Sequence, residues 1–121
     1  MKTTDKNELI QNYINNAISQ GEATLKGDYK TGNKECKKLS KIYKIMEKNL
    51  DFAKEMLDVL LNDENINVRI WASAHALGLN VKVDKAEDIL KEISSIPDIG
   101  LLGFNAEMTL KVWKERGYLK F

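Results

Sequence analysis

The chain has 121 residues, of which 43% are hydrophobic and 31% charged, with one proline, one cysteine and a formal net charge of +1 at pH 7. This length predicts a single domain over residues 1–121, and the composition is typical of a mostly helical globular protein. One cysteine excludes an internal disulfide, no apolar run reaches the ~18 residues that span a bilayer, and the N-terminus lacks the apolar segment of a secretion signal. We therefore expect a cytoplasmic protein that does not enter the membrane.

The first two helices are predicted from apolar periodicity. Apolar residues at positions 9–18 recur at spacings of one and three, which is typical of a helix, and Thr4 or Asp5 can cap its start. Residues 31–33, Thr-Gly-Asn, predict a turn because these residue types favour turns. A second helix is predicted from this turn to about position 49.

The remaining four helices follow from the same kind of pattern. Residues 51–61 form an amphipathic third helix, and residues 67–78 are so apolar that we predict a buried fourth helix, ending at Gly78. Asp84 is predicted to cap the fifth helix, and the sixth covers about residues 101–115.

Six helical patterns and no alternating strand pattern predict an all-α fold. Consecutive helices pair as three stacked antiparallel hairpins, over residues 5–49, 51–78 and 84–116, in a short HEAT-like solenoid. Because the repeat period is irregular, an irregular helical bundle is the alternative.

The hairpin at residues 51–78 resembles a HEAT repeat. The resemblance rests on its polar turn and on a set of residues in its second helix: Val68, Arg69, Ala72, Ala74, Leu77 and Gly78. The resemblance implies that Val68 packs between helices and that Arg69 ties neighbouring turns together.

The C-terminal third resembles the end of a small bacterial family of unknown function, which has a HEAT-like, armadillo-type helical fold. The residues that carry this resemblance are Gly100, Leu101, Leu102, Gly103, Phe104, Ala106, Met108, Thr109, Leu110 and Trp113. The middle of the family is matched by the turn before residue 67 and by Val68, Arg69, Trp71 and Ala72. The resemblance covers about residues 5–116, implies the fold and supplies no catalytic residue.

Residue types that carry chemistry are scattered along the chain. His75 is the only histidine and is predicted to be a core or boundary residue with one hydrogen bond. Cys36 lies on the apolar stripe of the second helix and is predicted to be structural. Residues 100–103 are too apolar to bind an anion and are predicted to pack tightly. Without a nucleophile–base pair, metal-ligand spacing or phosphate-binding loop, we predict a non-enzyme with no catalytic, metal or cofactor site.

The second helix carries a regular row of lysines. Residues 26–48 hold eight lysines against three acids, a net charge of +5, whereas residues 49–92 hold nine acids against five bases, a net charge of −4. Six of the lysines recur at spacings of four and three on one helix face. We call this row the lysine stripe: Lys30, Lys34, Lys37, Lys41, Lys44 and Lys48. It is either a solvated helix face or a partner-binding surface.

These observations predict a non-catalytic protein-interaction module of a bacterial cytoplasm, with an immunity-type partner of a toxin as one specific form. Its expected partner is another protein. The alternative is a nucleic-acid-binding helical-repeat protein that contacts phosphates through the lysine stripe.

Overall fold

The computed structural model describes residues 5–119, which form six α-helices and no β-strand. The helices are α1 (Lys6–Lys26), α2 (Tyr29–Lys48), α3 (Leu50–Leu60), α4 (Ile66–Leu79), α5 (Val83–Ser94) and α6 (Leu101–Arg116). The predicted all-α class and the number of helices are therefore confirmed. Within the described part of the chain, no helix is both long enough and apolar enough to cross a membrane.

The helices pack as hairpins of unequal closeness. α1 packs along α2, and α5 packs against both α4 and α6, whereas α3 touches α4 over a shorter stretch. α4 also contacts α1 and α6, so it lies at the centre of the fold. This arrangement is a solenoid-like bundle of helix hairpins.

The composition of α4 explains its central position. Val68, Ala72 and Ala76 are completely buried, and nine of the helix's residues are buried in all. A helix that is apolar around most of its girth is stable only between neighbours, and small alanine side chains let those neighbours approach closely.

The start of α1 lies where the sequence predicts it, and glycines end two of the helices. The Asp5 side chain accepts a hydrogen bond from the backbone N–H of Asn7 at the start of α1. Thr4, the other candidate cap, lies outside the described residues. Gly27 and Gly117 end α1 and α6 in the left-handed conformation, which glycine adopts without steric cost.

The predicted turn at residues 31–33 is wrong. α2 begins at Tyr29, so Gly32 lies inside the helix, buried against Ala23 of α1. The actual turn consists of Gly27 and Asp28, and the Asp28 carboxylate accepts a hydrogen bond from the backbone N–H of Thr31 at 3.2 Å. Tertiary packing therefore overrides the turn preference of glycine in this segment.

Two further helix ends differ from the prediction. α4 does not end at Gly78 but continues to Leu79, and Asn80 takes the left-handed conformation with φ 59°. α5 is not capped by Asp84, which lies in its first turn. The N-cap position is occupied by Lys82, with φ 50°, and its side chain makes no capping hydrogen bond. At the end of α4, Asn80 can take the place of glycine because asparagine tolerates the left-handed region.

Candidate functional site

The lysine stripe lies on the solvent side of α2. All six of its lysines are exposed, whereas the opposite side of the helix buries Leu39, Ile42 and Met46. Within residues 5–119, no lysine of the stripe forms a salt bridge; the ion pair on this helix joins Lys38 to Glu35 at 3.5 Å. The stripe is therefore accessible to solvent or to a partner along its whole length.

His75 lies in the centre of the core. It is completely buried, and its Nδ1 lies 2.7 Å from the Tyr13 hydroxyl oxygen. The rings of Tyr13, Tyr43 and Trp71 surround it, with centroids 4.7 to 5.6 Å away. The prediction of a core histidine with a hydrogen bond is confirmed.

Burial sets the protonation states of this pair. It lowers the pKa of His75 to about 3 and raises the pKa of Tyr13 well above its usual value, so both groups are neutral near pH 7. The pair is thus a neutral O–H and imidazole hydrogen bond. This hydrogen bond joins α1 to α4 inside the core.

Cys36 is half-buried rather than part of the central core. Burial is the main reason that the pKa of its thiol is raised, so the thiol stays protonated near neutral pH and is a weak nucleophile. It lines a cleft of ≈ 170 Å³ together with Tyr29 and Leu101.

A second cleft, of ≈ 260 Å³, opens between α1, α4 and α6. We call it the α1–α4–α6 cleft. Its lining residues are Gln20, Asn67, Ile70, Trp71, Ala74, Asn105, Met108 and Thr109. Because these residues come from three helices that are far apart in the sequence, no local sequence motif predicts the cleft.

The Gln20 side chain organises one wall of this cleft. Its Oε1 accepts hydrogen bonds from Asn67 Nδ2 at 2.8 Å and from Trp71 Nε1 at 3.0 Å. Its Nε2 donates to the Thr24 hydroxyl at 2.9 Å, and Asn67 Nδ2 also donates to the carbonyl oxygen of Ala17 at 2.7 Å. These bonds connect α1 to α4 along this wall.

Apolar side chains are exposed along α6 next to this cleft. Leu101, Phe104 and Met108 occur at i, i+3 and i+7, so they share one helix face, and they are 52%, 55% and 36% exposed. We call them the α6 apolar row. Leu25 and Tyr29, at 56% and 82% exposure, add apolar surface from α1 and α2.

The prediction that residues 100–103 pack tightly is right for part of the segment. Leu102 is buried, and a side chain on Gly103 would meet Ile99 at 3.2 Å. Leu101 instead is largely exposed and lines the cleft beside Cys36. The exposed α6 apolar row was not predicted, although the sequence shows that α6 carries two apolar rows. Packing of one side of the helix against the core accounts for only one of these rows.

The two residues singled out by the HEAT resemblance behave differently. Val68 is completely buried between helices, as the resemblance implies. Arg69, in contrast, makes no side-chain hydrogen bond or salt bridge to any residue of the described range 5–119, and its Nε is buried. The implied tie between neighbouring turns is not formed by those residues.

The described residues contain no group of three or more histidine, cysteine, aspartate or glutamate side chains placed to hold a metal ion. Comparisons with protein-family models, with curated proteins and with solved structures gave no match for this chain. The site is therefore interpreted from its own geometry.

Proposed function

We propose that this chain is a non-catalytic protein-interaction module of a bacterial cytoplasm. The observation that supports the proposal is the α6 apolar row, whose large side chains remain in solvent beside a cleft. A contiguous row of exposed apolar side chains next to a concave site is typical of a surface that another protein covers. Covering it would remove apolar area from water, which is the main favourable contribution to association.

A narrower form of the proposal is that the partner is a toxin and the chain is its immunity protein. The support is the resemblance to small bacterial HEAT-like domains, since stacked helix hairpins offer an extended wall for binding. The expected finding is a toxin gene next to the gene for this chain, with direct binding between the two purified products. A neighbouring toxin that does not bind this chain would rule out the narrower form.

The main proposal is tested by removing the exposed apolar side chains. We expect the double substitution Leu101→Ser with Phe104→Ser to weaken capture of the native partner by about tenfold or more, since a few large apolar residues dominate interface energies. The measurement is quantitative capture from a lysate of the native host, with wild type and variant compared at equal concentrations.

The matched control is Glu107→Ser with Lys114→Ser, two exposed polar positions on the same helix that lie off the face of the α6 apolar row. It should bind like wild type, and both double variants should retain the helical circular dichroism spectrum. Capture of the same partner by the Leu101 and Phe104 variant at the wild-type level would contradict the proposal.

The alternative, nucleic-acid binding, is supported by one observation: the lysine stripe is exposed and unpaired with acids among the described residues. If the chain is a protein-interaction module, a labelled duplex or single strand should not shift at about 10 µM protein in low salt. The assay is decisive because even non-specific nucleic-acid-binding proteins produce a shift under such conditions. A shift that weakens steeply between about 50 and 200 mM salt, and that Lys37→Glu with Lys41→Glu abolishes, would establish the alternative instead.

The same double lysine substitution has a defined effect on the protein itself. Both side chains are exposed, so we expect the free energy of unfolding to change by less than about 0.5 kcal/mol. If the stripe steers the partner, association should slow and lose its salt dependence, because exposed charges act mainly on the rate of encounter. Unchanged association kinetics would assign the stripe to a solvated face.

A further inference from the structure

The α1–α4–α6 cleft is small. Its volume of ≈ 260 Å³ lies below the range of about 300–1,000 Å³ that is usual for pockets holding a cofactor or a drug-sized ligand. A cleft of this size suits one large side chain and the peptide group that carries it.

The lining of the cleft contains no ionisable side chain. It combines apolar groups, among them Ile70, Ala74 and Met108, with the neutral amides and hydroxyl of Gln20, Asn67, Asn105 and Thr109. A charged group placed there would lose hydration without gaining a countercharge, which is costly. The chemistry therefore selects an uncharged occupant.

The polar groups of the lining fall into two sets. On the α1–α4 side, Gln20 Oε1 is engaged by both Asn67 Nδ2 and Trp71 Nε1. On the α6 side, the side chains of Asn105 and Thr109 form no hydrogen bond with any described residue. An amide and a hydroxyl provide both donors and acceptors, which is the complement of a peptide N–H and C=O.

The cleft and the α6 apolar row are continuous, because Met108 belongs to both. A segment lying along Leu101 and Phe104 would thus reach the cleft at Met108 without changing direction. Interfaces commonly place one or two large anchor side chains in such pockets, with near-neutral contacts around them.

From these observations we propose that the α1–α4–α6 cleft receives one large uncharged side chain, apolar or aromatic, from a segment of the partner protein. Asn105 and Thr109 hydrogen-bond the backbone of that residue, and the α6 apolar row packs along the rest of the segment. This inference rests on the proposed function and specifies the chemistry of the partner's contact residue.

The inference is tested on the purified chain without any partner, by nuclear magnetic resonance with amino-acid amides as probes. N-acetyl-leucinamide and N-acetyl-tyrosinamide carry an uncharged side chain and a peptide group; N-acetyl-glutamic acid amide is the charged counterpart. We expect saturable shifts at millimolar concentration for the first two probes, at the Trp71 indole N–H and at the side-chain amides of Asn67 and Asn105. Trp113 does not line the cleft, so its indole signal is an internal control.

Two substitutions on α6 locate the binding. Thr109→Phe places a ring in the cleft and should abolish the probe-dependent shifts, whereas Glu107→Phe adds the same ring at an exposed position outside it and should preserve them. Asn105→Ala, a milder change, should weaken the binding of both neutral probes while leaving the helical spectrum intact.

Each of three results would overturn the inference. The first is that the neutral probes cause no saturable shifts, and the second is that the charged probe causes shifts equal to theirs. The third is that the Trp71 indole signal shifts when the protein is diluted without any probe, in step with the dissociation of a dimer. The last result would assign the cleft to a second copy of this chain. A failed probe experiment combined with lost capture in the Leu101 and Phe104 variant would reject the cleft assignment and leave the protein-interaction proposal standing.

Discussion

Acidification from about pH 7.5 to about pH 5 should lower the free energy of unfolding by about 2 kcal/mol through His75 alone. Burial lowers the pKa of this imidazole from 6.5 to about 3 in the folded chain, whereas in the unfolded chain it titrates normally. The unfolded state therefore binds more protons between these two values. Stability is fully present above about pH 6.5 and is lost progressively toward about pH 3.

The surroundings of His75 make this effect separable from other titrations. Tyr13 and Tyr43 are titratable side chains whose rings contact it, and burial raises the pKa of both, so neither changes charge in the acid range. His75 is the only histidine, and no other side-chain type has an unperturbed pKa between about 5 and 8. Urea unfolding at a series of pH values measures the slope directly.

The control is His75→Gln, whose amide does not titrate and can either donate a hydrogen bond to the Tyr13 hydroxyl or accept one from it. This variant should be less stable at neutral pH, because its shape differs from that of imidazole, but its stability should be flat between about pH 5 and pH 7. An equal slope in wild type and His75→Gln would show that His75 does not cause the acid sensitivity.

Gly21→Ala should destabilise the fold by about 1–2 kcal/mol, although alanine favours a helix more than glycine does. The reason is the close crossing of α1 and α4: a Cβ on Gly21 would lie 2.9 Å from both Cβ and Nδ2 of Asn67. Real Cβ contacts are longer, so one helix must shift. The shift would also disturb the hydrogen bond from Asn67 to the Ala17 carbonyl oxygen.

Gly32→Ala is the matched control, since Gly32 is also a buried glycine within a helix. A Cβ there would meet its nearest neighbour, Ala23, at 3.8 Å, which is an ordinary van der Waals contact. We expect this variant to gain about 0.5–1 kcal/mol from helix propensity. Urea unfolding of the two variants should therefore give changes of opposite sign. A stabilised Gly21→Ala would show that the α1–α4 crossing is looser than the structure indicates.

The sequence alone determined the class of the fold. Apolar residues recur with helical spacing in each segment, and this periodicity depends only on which side chains must leave water, so the number and approximate extent of the helices could be predicted. The same holds for local signals with a single physical cause. Asp5 caps α1 because its carboxylate accepts a backbone N–H, and Gly27 ends it because glycine tolerates positive φ.

Tertiary structure decided the positions where local preference and packing disagree. Gly32 has the properties of a turn residue, yet it lies within α2, a helix held in place by its buried residues Leu39, Ile42 and Met46. Gly78 could have ended α4, but the helix continues until Asn80, where the chain must leave for α5. Local sequence does not encode how near the next helix is, so these ends could not be predicted.

The candidate site was likewise decided by tertiary structure. The lysine stripe was visible in the sequence because its members share one helix, and its exposure follows from the apolar stripe opposite. The α1–α4–α6 cleft joins residues more than eighty positions apart, such as Gln20 and Asn105. The α6 apolar row is exposed because only one side of that helix meets the core, and which side does so depends on how the six helices stack.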